Sequence, residues 1–193
     1  MADDRSVGDE IPADCEVIEV RVTELKLLFN PIDPSPPSEK DLEPRVEEFI
    51  VAQARPVKRE CLALLIFIGT PDSTDAASTV GTAVRAFFAQ RALSAGRRLS
   101  QLFRVGRTSS LIGLAFLAGA VTLASLVDRA IGTTTGGALI RETLVIGGWV
   151  AMWRPLEIFL YDWWPIVGER RHHEALSRIQ VRIALRPRTV PPA

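Results

Sequence analysis

The chain has 193 residues, of which 47% are hydrophobic and 24% are charged, and its mean hydropathy is +0.16. So high a hydropathy beside so many charges excludes one evenly mixed soluble domain and indicates separate apolar and polar blocks. The length allows one domain of roughly 100–150 residues and an additional segment. The net charge is zero, yet residues 1–60 hold fifteen acidic and eight basic residues, while residues 61–193 hold the reverse.

The two cysteines carry no recognisable metal or redox motif. Cys15 and Cys61 are far apart in sequence and lack a CxxC or histidine partner, so we predict two reduced structural thiols in a reducing compartment. The acidic first residues contain no apolar run, which predicts no signal peptide and leaves membrane insertion to internal segments. Only three of the 23 basic residues are lysines, a bias typical of a GC-rich bacterial genome.

The first third of the chain predicts a small α/β unit. Residues 1–15 are polar and acidic, which predicts disorder. Glu16–Val22 alternate in polarity like a half-buried strand, whereas residues 61–68 form a continuous apolar run typical of a strand buried on both faces. Between them, a proline-rich loop precedes a predicted amphipathic helix at residues 41–55. This order predicts a βαβ unit whose two strands are parallel neighbours.

The next segment predicts a long helix and then a first membrane span. Residues 75–105 repeat apolar positions every three or four residues, and six arginines without an acid lie between Val84 and Thr108. Residues 109–127 hold no charge and measure about 28 Å as a helix, close to the roughly 30 Å hydrocarbon layer. The alternative is the central helix of a soluble bundle. The arginines favour anionic lipid over nucleic acid, because they directly precede the span.

A second span at residues 143–164 follows a predicted extracytoplasmic turn at residues 128–142. Its charge-free beginning is too short to cross alone, so the crossing must continue through Arg154 and Pro155. The first span offers pairs of small residues for packing against the second span or against another copy: Ala115 with Gly119, and Ala120 with Ala124.

Residues 165–185 form a basic tail whose last part, residues 178–185, alternates like an amphipathic strand. An isolated strand is unstable, so we predict that it joins the sheet of the earlier strands. Both flanks of the spans then lie on one side of the bilayer, which requires an even number of crossings. Arginines crowd before the first span and after the second, so the positive-inside rule places both termini in the cytoplasm. Residues 186–193 are predicted to be disordered.

Polar residues in the second span form a candidate intramembrane cluster of Arg154, Glu157, Tyr161 and Asp162. On an α-helix the first three share one stripe, whereas Asp162 points elsewhere. Arg154 and Glu157 are three residues apart, which predicts an ion pair that lowers the cost of burying either charge. Three interpretations stay open: a pair that fixes helix depth and rotation, a contact to another membrane subunit, and a proton or ion relay.

Other residues of the second span predict its depth and shape. Tyr161, Trp163 and Trp164 are typical of an interfacial aromatic belt at the cytoplasmic edge. Pro155 cannot donate to the carbonyl of Ala151, which predicts a helix kink at the proline.

Two motif-like stretches do not support a site. GTPDST, at residues 69–74, lacks the GK[ST] ending of a phosphate-binding loop, so we interpret it as a strand-to-helix turn. His172 and His173 are adjacent and therefore point about 100° apart on a helix, which makes them a poor metal pair.

The string WRPLEIFLYDWWP, together with the preceding charge-free span and the segment VEEFIVAQAR, resembles a group of uncharacterised bacterial two-span membrane proteins. The resemblance runs over residues 16–185. It implies the two-span topology, but it brings no activity, cofactor or substrate, and it carries no functional residue over to this chain.

The sequence therefore predicts an α/β plus transmembrane fold: a two-helix transmembrane hairpin with a small cytoplasmic α/β domain at residues 16–105, completed by the tail strand. We expect a bacterial inner-membrane protein with an anchoring or interaction role, in which the acidic helix at 41–55 and the second span meet partners. The alternative is an accessory subunit in ion or proton translocation. The expected partners are the bilayer and another membrane protein or a second copy. We expect no enzyme activity, cofactor, metal, nucleic acid or small-molecule substrate.

Overall fold

A computed structural model of the chain describes residues 6–54, 61–69, 74–131 and 134–185. The chain divides into two compact units. The first comprises Met1–Ser94 and Glu169–Ala193, and the second is Ala95–Gly168. The architecture is mixed α/β, with one four-stranded sheet and two long apolar helices.

The first unit is built on a sheet with strand order β1-β4-β3-β2. Strand β2 (Glu16–Val22) pairs in parallel with β3 (Leu62–Ile68), which pairs in parallel with β4 (Gln180–Leu185). The predicted parallel pairing of the first two long strands is therefore confirmed. So is the prediction that the tail contributes a strand to the same sheet. The sequence patterns predict these strands correctly because polarity alternation and apolar runs are local properties of a strand.

A short strand β1 (Ser6–Gly8) pairs antiparallel with β4, so the predicted disorder of residues 1–15 is wrong for residues 6–8. Asp9 fixes this strand, because its Oδ2 accepts hydrogen bonds from Arg85 Nη1 at 2.7 Å and from the backbone N–H of Val181 at 3.1 Å. Gly8 has a φ of +129° and leaves only 2.5 Å between an added Cβ and the Val181 carbonyl oxygen. Residues 1–5 and 186–193 lie outside the described residues.

One face of the sheet carries the core of the first unit. The strand residues of this face alternate and pack with residues from three helices, since the pleat directs every second side chain to the same side. On the other face Leu65 and Phe67 are only half-buried, and the Arg21 guanidinium lies 5.8 Å from the Phe67 ring centroid. The predicted burial of β3 on both faces therefore holds at Ala63 of the second face but is wrong for Leu65 and Phe67. The largest fully buried members of the core include Leu64, Ile66 and Val181 from the sheet and Ile50, Val84, Phe88 and Leu176 from the helices.

Helix α1 (Pro44–Ala54) connects β2 to β3 and confirms the predicted βαβ order. A 3₁₀ turn (Leu25–Leu28) and the proline-rich loop precede it. A bridge between Phe29 and Leu42 closes this loop, together with a 2.8 Å hydrogen bond from Asn30 N–H to the Asp41 carbonyl. Proline is tolerated in the first helical turn because its missing N–H would have no intrahelical partner there.

Helix α2 (Thr74–Ile131) runs for 58 residues without interruption. The predicted boundary between a helix ending at residue 105 and a span beginning at residue 109 is absent. The reason lies in the sequence, because residues 74–131 contain no proline and isolated glycine is tolerated within a helix. The Thr108 and Ser110 hydroxyls donate to the carbonyls four residues before them and leave the helix intact.

Three residues separate the end of α2 from helix α3 (Thr135–Glu157), so the connection is much shorter than the predicted turn at residues 128–142. Thr134 caps the helix, since its Oγ1 accepts the Gly137 N–H at 3.3 Å. A π-helical turn (Ile158–Asp162) and then helix α4 (Trp163–Leu176) continue the same helical path. Residues 132 and 133 lie outside the described residues.

Cys15 and Cys61 form a disulfide, with their Cα atoms 4.6 Å apart. The predicted pair of separate, reduced thiols is therefore wrong for this structure. Each cysteine directly precedes a strand, and Glu16 is the register partner of Leu62 in the parallel pair. The backbone N–H of Glu16 also donates to the Cys61 carbonyl at 3.1 Å. The register that pairs the strands thus also brings the two thiols together.

Within the second unit, α2 and α3 approach closely at glycine. A Cβ added to Gly113 would lie 3.0 Å from the Ala151 carbonyl oxygen, and one added to Gly148 would lie 2.7 Å from a Leu117 methyl. The contacts pair later residues of α2 with earlier residues of α3, so the helices run in opposite directions. Of the predicted small-residue pairs, Ala120 and Ala124 are buried, whereas an added Cβ at Gly119 would have no neighbour within 4 Å.

Candidate functional site

The candidate site is a cluster of charged side chains at the end of α3. Arg154 Nη1 lies 3.0 Å from Glu157 Oε2 and 3.3 Å from Asp162 Oδ2. The predicted Arg154–Glu157 ion pair is confirmed. One guanidinium thus bridges two carboxylates, and these three groups, called here the bridged cluster, carry a net charge of −1 when all are ionised. Their side chains are 62%, 43% and 31% exposed, so the cluster is open at the surface of the second unit.

The predicted direction of Asp162 is wrong, and the π-helical turn explains why. Eight residues of regular α-helix place Asp162 about 80° away from Arg154 around the axis. A π-helical turn closes i→i+5 hydrogen bonds and so inserts one residue, which takes back about 100°. Asp162 therefore returns to the face of Arg154.

The same turn removes Tyr161 from the predicted stripe. Tyr161 is 68% exposed and makes no hydrogen bond to the bridged cluster within the described part of the chain. The inserted residue rotates it away as it rotates Asp162 inward. The structure therefore brings together three of the four predicted cluster residues.

Pro155 is buried within the second unit. Because the proline has no N–H, the Ala151 carbonyl has no i+4 donor, and Gly113 of α2 lies against this oxygen. After the proline, the Ile158 N–H is shared between the carbonyls of Arg154 and Pro155, and the wide turn begins there. The irregularity of the helix thus lies at Ile158–Asp162. A kink angle at Pro155 itself stays a prediction.

Aromatic residues surround the π-helical turn. The rings of Trp163 and Trp164 lie 4.8 Å apart, and Trp163 Nε1 donates to the Phe159 carbonyl at 2.9 Å. The Phe159 ring stacks on Phe103 of α2 at 6.2 Å. Trp164 and Tyr161 are about two-thirds exposed, an arrangement that suits an amphipathic belt at a membrane boundary.

His173 is the one polar residue that is buried in the described core of the first unit. Its ring stacks on Phe88 at 6.2 Å, and its Nδ1 has no hydrogen-bond partner among the residues the structure describes. Burial holds the pKa of His173 below its usual value. Glu169 and Glu47 oppose this shift, while Arg91 and the neighbouring His172 reinforce it. His172 itself places Nε2 3.3 Å from the Val51 carbonyl, and no cluster of three metal-ligating side chains occurs in the described ranges.

The buried histidine predicts a loss of stability in acid. The unfolded chain binds the proton near the usual histidine pKa of about 6.5 and the folded chain only below it. We therefore expect the free energy of unfolding to fall as the pH decreases through and below that value, by at most about 1.4 kcal/mol per pH unit. Chemical unfolding at a series of pH values measures this slope. H173F keeps the ring stack and should flatten the slope, whereas an unchanged slope in H173F would assign it to other groups.

An acidic cavity of about 300 Å³ lies beside the proline-rich loop of the first unit. The Asp33 carboxylate acts within the loop, since it accepts the backbone N–H groups of Asp41 at 2.7 Å and of Ser35 at 2.9 Å. These hydrogen bonds hold the pKa of Asp33 below its usual value. The lining residues are Asp33, Ser35, Glu39, Asp41, Ala86, Phe87 and Gln90.

Comparison with known proteins found no match for this chain among family models, curated proteins or solved structures. The resemblance to uncharacterised two-span proteins therefore stays a prediction from the sequence. The site is a bridged cluster of one cation and two carboxylates, beside an aromatic belt, at the end of an apolar helix.

Proposed function

We propose that this protein is an integral protein of a bacterial inner membrane that crosses the bilayer twice and acts as an anchoring or interaction subunit. The observation that carries the proposal is the pair of helices at Ser78–Ala130 and Thr135–Leu176, which are long and apolar enough to cross a membrane. Only 17% of the most apolar window of each helix is buried. A core helix of a soluble protein would be mostly buried.

The exposed surface of α2 supports a lipid environment. Leu111, Ile112, Leu114 and Phe116 are consecutive or nearly so and are each more than half exposed. Soluble monomers rarely expose a continuous apolar patch of this kind, because water around it costs free energy. Lipid removes that cost. Since α2 and α3 run in opposite directions, the two crossings form a transmembrane hairpin.

The sheet supports a common side for both flanks. Strand β4 follows the second apolar helix and pairs with β3, which precedes the first. The two flanks must then occupy the same compartment, as an even number of crossings requires. Arginines before the first crossing and after the second favour the cytoplasm.

The second crossing is a better docking face than the acidic helix α1. Just before α1 the Glu43 carboxylate accepts the backbone N–H groups of Arg45 and Val46, and within α1 Glu47 pairs with Arg91 at 2.7 Å. Both carboxylates are therefore already occupied. The bridged cluster of α3 stays open and has one carboxylate in excess, which fits a donor group of another membrane protein or of a second copy.

Membrane extraction tests the crossings. We expect the full-length protein to stay in the membrane fraction during alkaline carbonate washing and to dissolve only in detergent. Reporter fusions at Met1 and Ala193 should both report the cytoplasm. Release by carbonate, or reporters in opposite compartments, would overturn the proposed topology.

Affinity purification in mild detergent tests the interaction role. We expect the full-length protein to retain a second membrane protein or a second copy, and E157Q/D162N to weaken that retention because the cluster loses both negative charges. E142Q, at the other end of α3, is the matched control and should retain the partner. Recovery of the single chain alone would count against an interaction subunit.

A second candidate is an accessory subunit of an ion- or proton-translocating complex. The net negative charge of the bridged cluster within an apolar helix favours it, because ionisable residues in such places mark ion and proton paths. Two crossings cannot enclose a path alone, so this function also requires a larger assembly. Proton flux that is lost in E157Q while the complex stays assembled would support it, and unchanged flux would remove it.

A further inference from the structure

Two arginines on one turn of α2 are open to solvent. Arg104 and Arg107 are exposed, and their three-residue spacing places them on neighbouring positions of one helix face. No acidic residue occurs between residues 95 and 127. Within the described ranges, neither guanidinium forms an ion pair.

These arginines lie at the level of the aromatic belt within the second unit. Gly106 faces Ile158, since an added Cβ would lie 2.9 Å from its side chain, and Phe103 stacks on Phe159. The turn of α2 that carries both arginines is therefore beside the π-helical turn, which Trp163 and Trp164 follow directly. Tryptophan and arginine at one level are typical of the headgroup region of a bilayer. The apolar surface of α2 begins one turn further on.

We propose that Arg104 and Arg107 bind the phosphate of an anionic phospholipid at the membrane surface. A guanidinium matches phosphate through two parallel N–H donors, and two of them on adjacent positions can hold one phosphate or two neighbouring ones. Exposed leucine and isoleucine within a turn of the arginines favour lipid over nucleic acid, because acyl chains cover apolar side chains and a duplex does not. The inference rests on the proposed membrane location and adds a lipid preference to it.

Lipid titration of the purified full-length protein in neutral detergent tests the site. We expect native mass spectrometry to show stronger binding of phosphatidylglycerol than of phosphatidylcholine with the same acyl chains. R104Q/R107Q should weaken phosphatidylglycerol binding about 25-fold, at about fivefold for each arginine near an anionic surface. Phosphatidylcholine binding should not change. R129Q/R141Q removes the same charge at the opposite end of the apolar helices and should keep the preference.

Several results would overturn the proposal. They are equal binding of the two lipids, an equal loss in R129Q/R141Q, full competition by millimolar inorganic phosphate, and a stronger response to duplex DNA than to lipid. If R104Q/R107Q does not fold, R104K/R107K is the substitute, because lysine keeps both charges without the planar guanidinium. An intermediate loss of phosphatidylglycerol binding in this variant supports the site, and no loss refutes it. Carbonate extraction of the same samples separates the two proposals. If the protein resists extraction but shows no lipid preference, only the lipid site is refuted. If carbonate extracts the protein, the proposed membrane function is refuted.

Discussion

Replacing Cys15 with serine is expected to lower the free energy of unfolding of the first unit by about 4 kcal/mol. The disulfide joins residues 46 positions apart, and closing a loop of that length in the unfolded chain removes entropy worth about this much. Chemical unfolding with and without a thiol reductant measures the effect. The reductant should destabilise the original protein by a similar amount and leave C15S unchanged.

C61S is the matched control for this prediction. Because the two cysteines act as one unit, C61S should lose as much as C15S, and C15S/C61S should lose little more than either. An original protein whose stability does not respond to reductant would contradict the contribution of the bond. A much larger loss in only one variant would point to packing of that side chain instead.

Replacing Gly113 with leucine is expected to destabilise the contact between α2 and α3 by about 1–3 kcal/mol, the usual cost of an overpacked interface. The nearest atom to an added Cβ is the Ala151 backbone oxygen at 3.0 Å, which cannot rotate away as the end of a side chain can. The cost is compounded because this carbonyl has already lost its helix donor to Pro155. Unfolding in detergent, followed by tryptophan fluorescence, measures the loss.

Gly119 lies six residues further along the same helix and provides the control. An added Cβ there would meet nothing within 4 Å. G119L should therefore be neutral or slightly stabilising, since leucine has a higher helix propensity than glycine by somewhat less than about 1 kcal/mol. Equal losses in G113L and G119L would contradict the contact between the two helices.

Local patterns predicted most of the sheet. Polarity alternation at Glu16–Val22 and the apolar run before residue 69 each report a strand through neighbouring residues alone. Strand β1 has only three residues and no such pattern, and it depends on contacts with partners about 75 or more positions away, such as that of Asp9 with Arg85. Sequence reasoning therefore could not find it.

The disulfide and the cluster show two kinds of missed signal. Cys15 directly precedes one predicted strand and Cys61 begins the other, so parallel pairing of these two strands from their first residues brings the thiols together. The separation of the two cysteines along the chain led to the wrong prediction of separate thiols. The rotation of Asp162 had no comparable signal, because no pattern in the local sequence predicts the inserted residue of a π-helical turn.

The redox state of the two cysteines in the cell also indicates which compartment contains the sheet. Glutathione and thioredoxin keep cytosolic cysteines reduced, so a sheet on the cytoplasmic side would carry two free thiols in the living cell. A sheet in the periplasm would be oxidised soon after synthesis. Acid quenching of intact cells preserves the thiol state, and a maleimide polymer added once the pH is restored would report the orientation as a gel shift, without any fused reporter.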